Sequence, residues 1–164
     1  MNKKPSIVIL TDSGAGIRQS QIKDQPISLI NFTIIIKNQS FADTPEANER
    51  YHLVEQIRQE SEHASTAQTS RFVVEQRITK LLSNYQKVLY LCVSPRLSGQ
   101  YHTMKVLEKK VMFRHKLFVI PCYNSGIGQR YLVFQAAKMA IQDHNCHDII
   151  RFVKKADHPL IWTG

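Results

Sequence analysis

The chain has 164 residues, 43% of them apolar and 21% charged; this fits one globular domain with its own core and excludes wholesale disorder or a collagen-like fibre. Twenty-two basic against thirteen acidic residues leave a formal charge of +9, which suits an anionic partner, though the cations spread from Lys3 to Lys155 rather than gathering in one arm. No apolar run approaches the ~18 residues of a membrane span, and Ile7–Leu10 is too short for the apolar stretch of a signal peptide, so a cytoplasmic location is expected.

The first predicted element is the apolar run Ser6–Thr11, a strand that ends in the turn cluster Asp12-Ser13-Gly14-Ala15-Gly16. Ile27–Ile36 reads as a second strand, and Lys37–Ser40 as a hairpin-type turn leading to Phe41. From Glu46 to about Glu62 a helix is expected, with Leu53, Val54 and Ile57 on one face. Ser65–Ser70 reads as a hydroxyl-rich loop before the next helix, which Ser70 caps and which turns Val74, Ile78, Leu81 and Leu82 inward. Lys87–Ser94 is apolar on both faces, as a strand covered by helices on either side should be. A helix over Ser98–Phe113 places Met104, Leu107 and Val111 on one stripe. A strand over Lys116–Cys122, a helix over Gly126–Ile141 and a last helix near His147–Lys155 complete the pattern, and Leu160–Gly164 reads as the opening of a further strand. The alternation predicts an α/β domain, a three-layer α/β/α sandwich on one mainly parallel sheet.

In open α/β sheets ligands bind beyond the carboxyl ends of the strands, where strand order reverses. Four Ser-, Thr- and Gly-rich segments fall at such ends: Thr11–Gly14, Ser65–Ser70, Ser94–Gln100 and Tyr123–Gly128. Together they suit an anionic head group held by neutral hydroxyls and helix-start amides, although Ser and Thr also gather at helix N-caps with no ligand involved. Other chemistries lack parts. Asp12-Ser13-Gly14 is similar to an aspartic-protease loop but has no second such loop and no all-β setting. Gly14-Ala15-Gly16 lacks the lysine of a phosphate loop. Ser98 has no GxSxG context for a hydrolase, although His102 follows one helical turn later. His144, Cys146 and His147 form the one local group among seven histidines and three cysteines, short of the four convergent ligands of a zinc site. Cys92, Cys122 and Cys146 make no CxxC pair, and free thiols of a reducing compartment are expected.

Four motifs in order carry a resemblance: Thr11-Asp12-Ser13; Thr66-Ala67-Gln68-Thr69-Ser70; Ser94-Pro95-Arg96-Leu97-Ser98-Gly99-Gln100-Tyr101; and Val119-Ile120 through Gly126-Ile127-Gly128. The chain resembles the DegV family over residues 6–164, the family's amino-terminal α/β domain. Those proteins bind a long-chain fatty acid, and the best understood are the binding subunits of bacterial fatty acid kinase. The resemblance implies a carrier that performs no catalysis, uses no cofactor or metal, and presents its ligand to the catalytic subunit of a fatty acid kinase. It implies that Thr66 and Ser98 hydrogen-bond the carboxylate, with Gly99, Ser13, Asp12, Asn124 and Ser125 around the head group. Contact with a membrane surface is a further expectation; nucleic acid is not expected as a partner.

The chain departs from the family pattern at Gln100 (usually Thr), at Ala67 and Thr69 (Ser and Pro), at Pro121-Cys122 (Asp-Ser) and at Gly14 (Thr or Ser). Residues 1–156 are expected to form the head-group domain, and residues 157–164 the start of a second domain that the chain lacks. The alternative reading is a flavodoxin-like anion- or nucleotide-binding domain, with Tyr123 or Tyr101 available for stacking; a serine hydrolase is the weaker third.

Overall fold

The structure, a computed structural model, describes residues 5–59 and 64–157. In chain order the elements are β1 (Ile7–Asp12), β2 (Ile27–Ile30), β3 (Thr33–Ile36), β4 (Gln39–Ala42), α1 (Ala47–Gln59), β5 (Ala64–Ala67), α2 (Arg71–Leu82), β6 (Lys87–Val93), α3 (Gln100–Glu108), β7 (Leu117–Cys122), α4 (Ile127–Ile141) and α5 (Cys146–Ala156). The strand expected from Leu160 lies outside the described residues.

Four strands form a parallel sheet in the order β2-β1-β6-β7. Alternate side chains leave opposite faces of a strand, so each apolar run supplies two cores. Ile7 and Ile9, Leu89 and Leu91, and Ile120 and Cys122 pack with α4 and α5. Val8 and Leu10, Val88 and Tyr90, and Leu117 and Val119 pack with Val74 and Ile78 of α2 and Met104 and Leu107 of α3. This is the expected three-layer α/β/α sandwich.

The expectation of one strand over Ile27–Ile36 is corrected. The run divides at Asn31-Phe32: β2 stays on the parallel sheet, and β3 starts a second, antiparallel sheet of order β4-β3-β5. Side chains from elsewhere satisfy the backbone at the break, the Phe32 amide donating to Ser13 Oγ (3.1 Å) and Asn31 O accepting from Thr69 Oγ1 (2.8 Å). The hairpin turns at Lys37 and Asn38, both at positive φ (47° and 65°), as the favoured two-residue hairpin requires. Ile34 and Ile36 pack on Leu53 of α1, with Ile57 partly buried beside them; Val54, expected on that face, is exposed.

Two further expectations change. Ala64–Ala67, read as loop, is a strand because β3 offers it a partner, Ile34 opposite Thr66 and Ile35 opposite Ser65. The helix expected to run to Phe113 stops at Glu108, since its side chain turns back to accept from the Val119 amide (2.8 Å) and the chain folds into turns that bury Phe113. Val111, expected inward, is 85% exposed. Among the described residues no helix is long and apolar enough to cross a membrane.

Candidate functional site: a crevice at the sheet's switch point

β1 connects to β2 on one side, and the chain later returns to pair β6 on its other side. The strand order therefore reverses between β1 and β6, and the crevice beyond their carboxyl ends is where this architecture binds ligands. The turn after β1, the Ser94–Gly99 loop before α3, and the Tyr123–Gly126 loop before α4 border it.

Hydrogen bonds draw these loops together. The Gly126 amide donates to Gly14 O (2.9 Å), joining the first loop to the start of α4. Gly126 has φ 60° and ψ −120°, a backbone region open to little besides glycine. Ser13 is half-buried and places its hydroxyl against Phe32 N. At the start of α3, half-buried Ser98 accepts from the Gln100 amide (3.2 Å) and Gly99 is exposed. Gln68 reaches the same turn: its Oε1 accepts from Thr103 Oγ1 (3.2 Å) and stands 3.5 Å from where a Cβ on Gly99 would lie. Thr66, two residues earlier on the edge strand β5, has an exposed side chain. Asn124 is half-buried and Ser125 exposed. The structure thus ties the Ser13–Gly14 turn to the Gly126 end of the third loop, and sets Gln68 beside Gly99 and Thr103.

Asp12 differs from the rest. It is wholly buried, and its carboxylate accepts from the Val93 amide (2.8 Å), the Gly14 amide (3.1 Å), Gln129 Nε2 (3.1 Å) and the Tyr90 hydroxyl (3.3 Å). Burial lifts its carboxyl above the ordinary 3.8, outweighing the four hydrogen bonds that pull the other way. With every donor coming from the protein, Asp12 acts as a tie between β1, β6 and α4 and sets the position of the Ser13–Gly14 turn. Burial likewise raises the thiols of Cys92 and Cys122, so neither is a reactive thiolate.

Three polar residues that define the crevice were missed in the sequence. Gln129 donates to Asp12 and Thr11 from the first turn of α4. Tyr90, in the middle of β6, donates its hydroxyl to Asp12. Asp157, buried just past α5, accepts from the Tyr123 amide (2.7 Å) and from Asn124 Nδ2 (2.9 Å), anchoring the third loop. Gln129 alone left a signal: three residues after Gly126, on the face shared with the inward Leu132 and Ala136.

The helix starts set the electrostatics. α3 and α4 begin at Gly99 and Gly126, with no side-chain hydrogen bond from the cap residue and no acid in the first turn. By contrast, α2 is capped by Ser70 and α5 by Asn145, with Asp148 in its first turn. The positive ends of two dipoles therefore border the crevice with no acid of their own to offset them. Among the described residues no three of His, Cys, Asp and Glu are grouped to hold a metal ion.

Comparison with known proteins follows the same outline. A DegV domain-containing protein of Ureaplasma parvum is 24% identical over 155 residues, covering 93% of this chain and 50% of that protein. One from Caldanaerobacter subterraneus is 26% identical over 149 residues, covering 90% and 51%. The chain spans about half the length of the curated relatives it matches. Among solved structures, a Thermotoga maritima protein described as revealing a fatty acid binding function superposes with a TM-score of 0.82 at 21% identity, over 93% of this chain and 55% of its own. The Streptococcus pneumoniae Fatty Acid Kinase (Fak) B3 protein, loaded with linoleic acid, gives 0.74 at 16% identity, over 92% and 53%. The family model for DegV, described as an uncharacterised protein family, matches residues 6–159, and the chain belongs to the DegV family.

Proposed function

We propose that this chain is the head-group half of a long-chain fatty-acid carrier, and that it holds the ligand's carboxylate in the crevice between β1 and β6. The observation that carries this reading is the pair of acid-free helix starts at Gly99 and Gly126 on the two sides of that crevice. A carboxylate is an anion of the right size for such amides, and the hydroxyls of Ser98 and Thr66 are neutral donors that complete its hydrogen bonds without a counter-ion. Gly99, Ser13, Asn124 and Ser125 shape the wall, and Asp12 holds it from behind. The Thermotoga protein described as binding fatty acid and the pneumococcal protein loaded with linoleic acid, both of the same fold, support the choice of a fatty acid over other anions.

The tail supplies most of the driving force. At ~0.8 kcal/mol per buried CH₂, a sixteen-carbon chain carries on the order of 10 kcal/mol of gross transfer energy. The reading includes no chemistry on this chain: Ser98 has no paired base among the described residues, and the carboxylate is presented to the catalytic subunit of a fatty acid kinase, as the name of the pneumococcal relative suggests. Native mass spectrometry of the chain mixed with an excess of a long-chain fatty acid, and separately of a nucleotide, tests it directly. A fatty-acid adduct is expected; a nucleotide adduct in its place would favour the flavodoxin-like alternative and overturn the proposal. In a form that binds fatty acid, Ser98→Ala should weaken binding by about 1–3 kcal/mol through the lost donor, and unchanged affinity would remove Ser98 from the site.

A further inference from the structure

We propose that Gln100 sets the specificity of the crevice, and that the preferred ligand is a fatty acid with a hydroxyl on carbon 2 or 3, beside its carboxylate. The proposal rests on the carboxylate reading given above. Gln100 is the first residue of α3. Its backbone amide donates to Ser98 Oγ (3.2 Å), so it adjoins a residue assigned to the head group. Met104 and Leu107 follow at i+4 and i+7 on the buried face of the helix, and Gln100 is itself wholly buried.

Its side-chain amide is unpaired. Among the described residues, buried side-chain nitrogen and oxygen atoms without a hydrogen-bond partner occur only at Gln100, on both ends of the amide, and at Gln129, on Oε1. The two residues differ. Gln129 is tied through Nε2 to Thr11 and Asp12, which accounts for its place in the fold. Gln100 has no such tie. A primary amide taken out of water with neither end paired is destabilising, and a leucine or methionine here would extend the Met104–Leu107 stripe without that cost. Stability gives no reason for an amide at this position, whereas a polar ligand does.

The unused groups identify the ligand's chemistry. A carboxylate only accepts hydrogen bonds, so a plain fatty acid can take Nε2 and leaves Oε1 unpaired. A hydroxyl donates, and one placed on carbon 2 or 3 stands beside the carboxylate as Oε1 stands beside Nε2. Such an acid meets both ends of the amide at once: the carboxylate accepts from Nε2 and the hydroxyl donates to Oε1. A hydroxyl further along the tail lies away from the head group and meets neither. The Gln100 side chain turns toward Ser98 without breaking a hydrogen bond, because its amide makes none.

Displacement of a fluorescent fatty acid from the 164-residue chain tests this with palmitate and its 2-hydroxy, 3-hydroxy and 16-hydroxy forms. The 2-hydroxy or the 3-hydroxy acid should bind about tenfold or more tightly than palmitate, and the 16-hydroxy acid should gain nothing. Gln100→Met, nearly equal in length and without the amide, should erase that preference. In the absence of ligand, Gln100→Met or Gln100→Leu should unfold at a higher urea concentration than the parent, because no unpaired amide is buried. Equal affinity for palmitate and both neighbouring hydroxy acids would overturn the proposal and leave the carboxylate reading standing. A preference that survives in Gln100→Met, or an equal gain with the 16-hydroxy acid, would overturn it too. So would a lower urea midpoint in both variants, which would mean that the fold itself satisfies the amide. A chain that binds neither the probe nor any of the four acids would remove the carboxylate reading, and this proposal with it.

Discussion

At the scale of single residues, the crevice is set by buried groups that hold its walls in place. Asp12 is the centre, and its raised pKa has a definite sign. A folded-state pKa above the unfolded value means that the fold binds the proton more tightly than the unfolded chain. The stabilising contribution is complete below the ordinary 3.8 and is lost as pH rises through the folded-state value. Urea unfolding of the parent and Asp12→Asn across pH 3–7 should therefore show the parent's advantage shrinking as pH increases; an advantage that grows would reverse this account. Gly14 is the second such residue. A Cβ there would sit 2.9 Å from Asp12 Oδ1, 3.2 Å from Gln129 Oε1 and 3.2 Å from Val93 Cγ2, and the first two cannot retreat without disturbing the buried hydrogen bonds of Asp12 and Gln129. Gly14→Ala should cost about 1–3 kcal/mol in chemical denaturation. This also gives a physical ground for the departure from Thr or Ser at this position, because the space is taken by the Gln129 amide.

At the scale of elements, the helix starts separate stability from binding. Ile127, at the first position of α4, is 76% exposed, so Ile127→Glu places an acid at the positive end of the helix dipole with little packing lost. The melting temperature should rise, by about 0.3–1 kcal/mol of added stability, while fatty-acid affinity falls; a fall in both would show that the substitution acted through packing. The elements also show how far the sequence could be read. β1, β6 and β7 were legible because runs apolar on both faces have one stable setting, between two helical layers. The break at Asn31-Phe32 was not, for no Gly or Pro marks it and the groups that satisfy it come from Ser13 and Thr69. β5 was hidden for a related reason: Ala-Ser-Thr-Ala has little strand character alone and becomes a strand through its pairing with β3. α3 was overrun because Val111 keeps the helical spacing after Met104 and Leu107 while the backbone has already turned. At the site, the Ser- and Gly-rich loops were visible from strand ends, whereas Tyr90, Gln129 and Asp157 act through pairings far apart in the chain.

At the scale of the whole molecule, the crevice is open. Gly99, Ser125, Leu97, Tyr123 and Ile127 around it are exposed, so an acyl tail lying there would keep one side in water and forfeit much of its transfer energy. Titration of a fluorescent fatty acid against residues 1–164 should give a dissociation constant weaker than micromolar, short of the roughly −8 kcal/mol that micromolar binding needs. Tight stoichiometric binding would show that these residues already enclose the ligand. The buried knot around Asp12 has a different consequence, for synthesis rather than binding. Its partners Val93 and Gln129 lie 81 and 117 residues further along the chain. On a ribosome β1 and β2 emerge and can pair first, but the edge of β1 that belongs to β6 waits unpaired for dozens of residues, and the carboxylate remains half-satisfied until α4 arrives. A central strand of the sheet is thus among the first segments made and the last to be completed, and a nascent chain stalled before β6 presents that unpaired edge to chaperones and proteases.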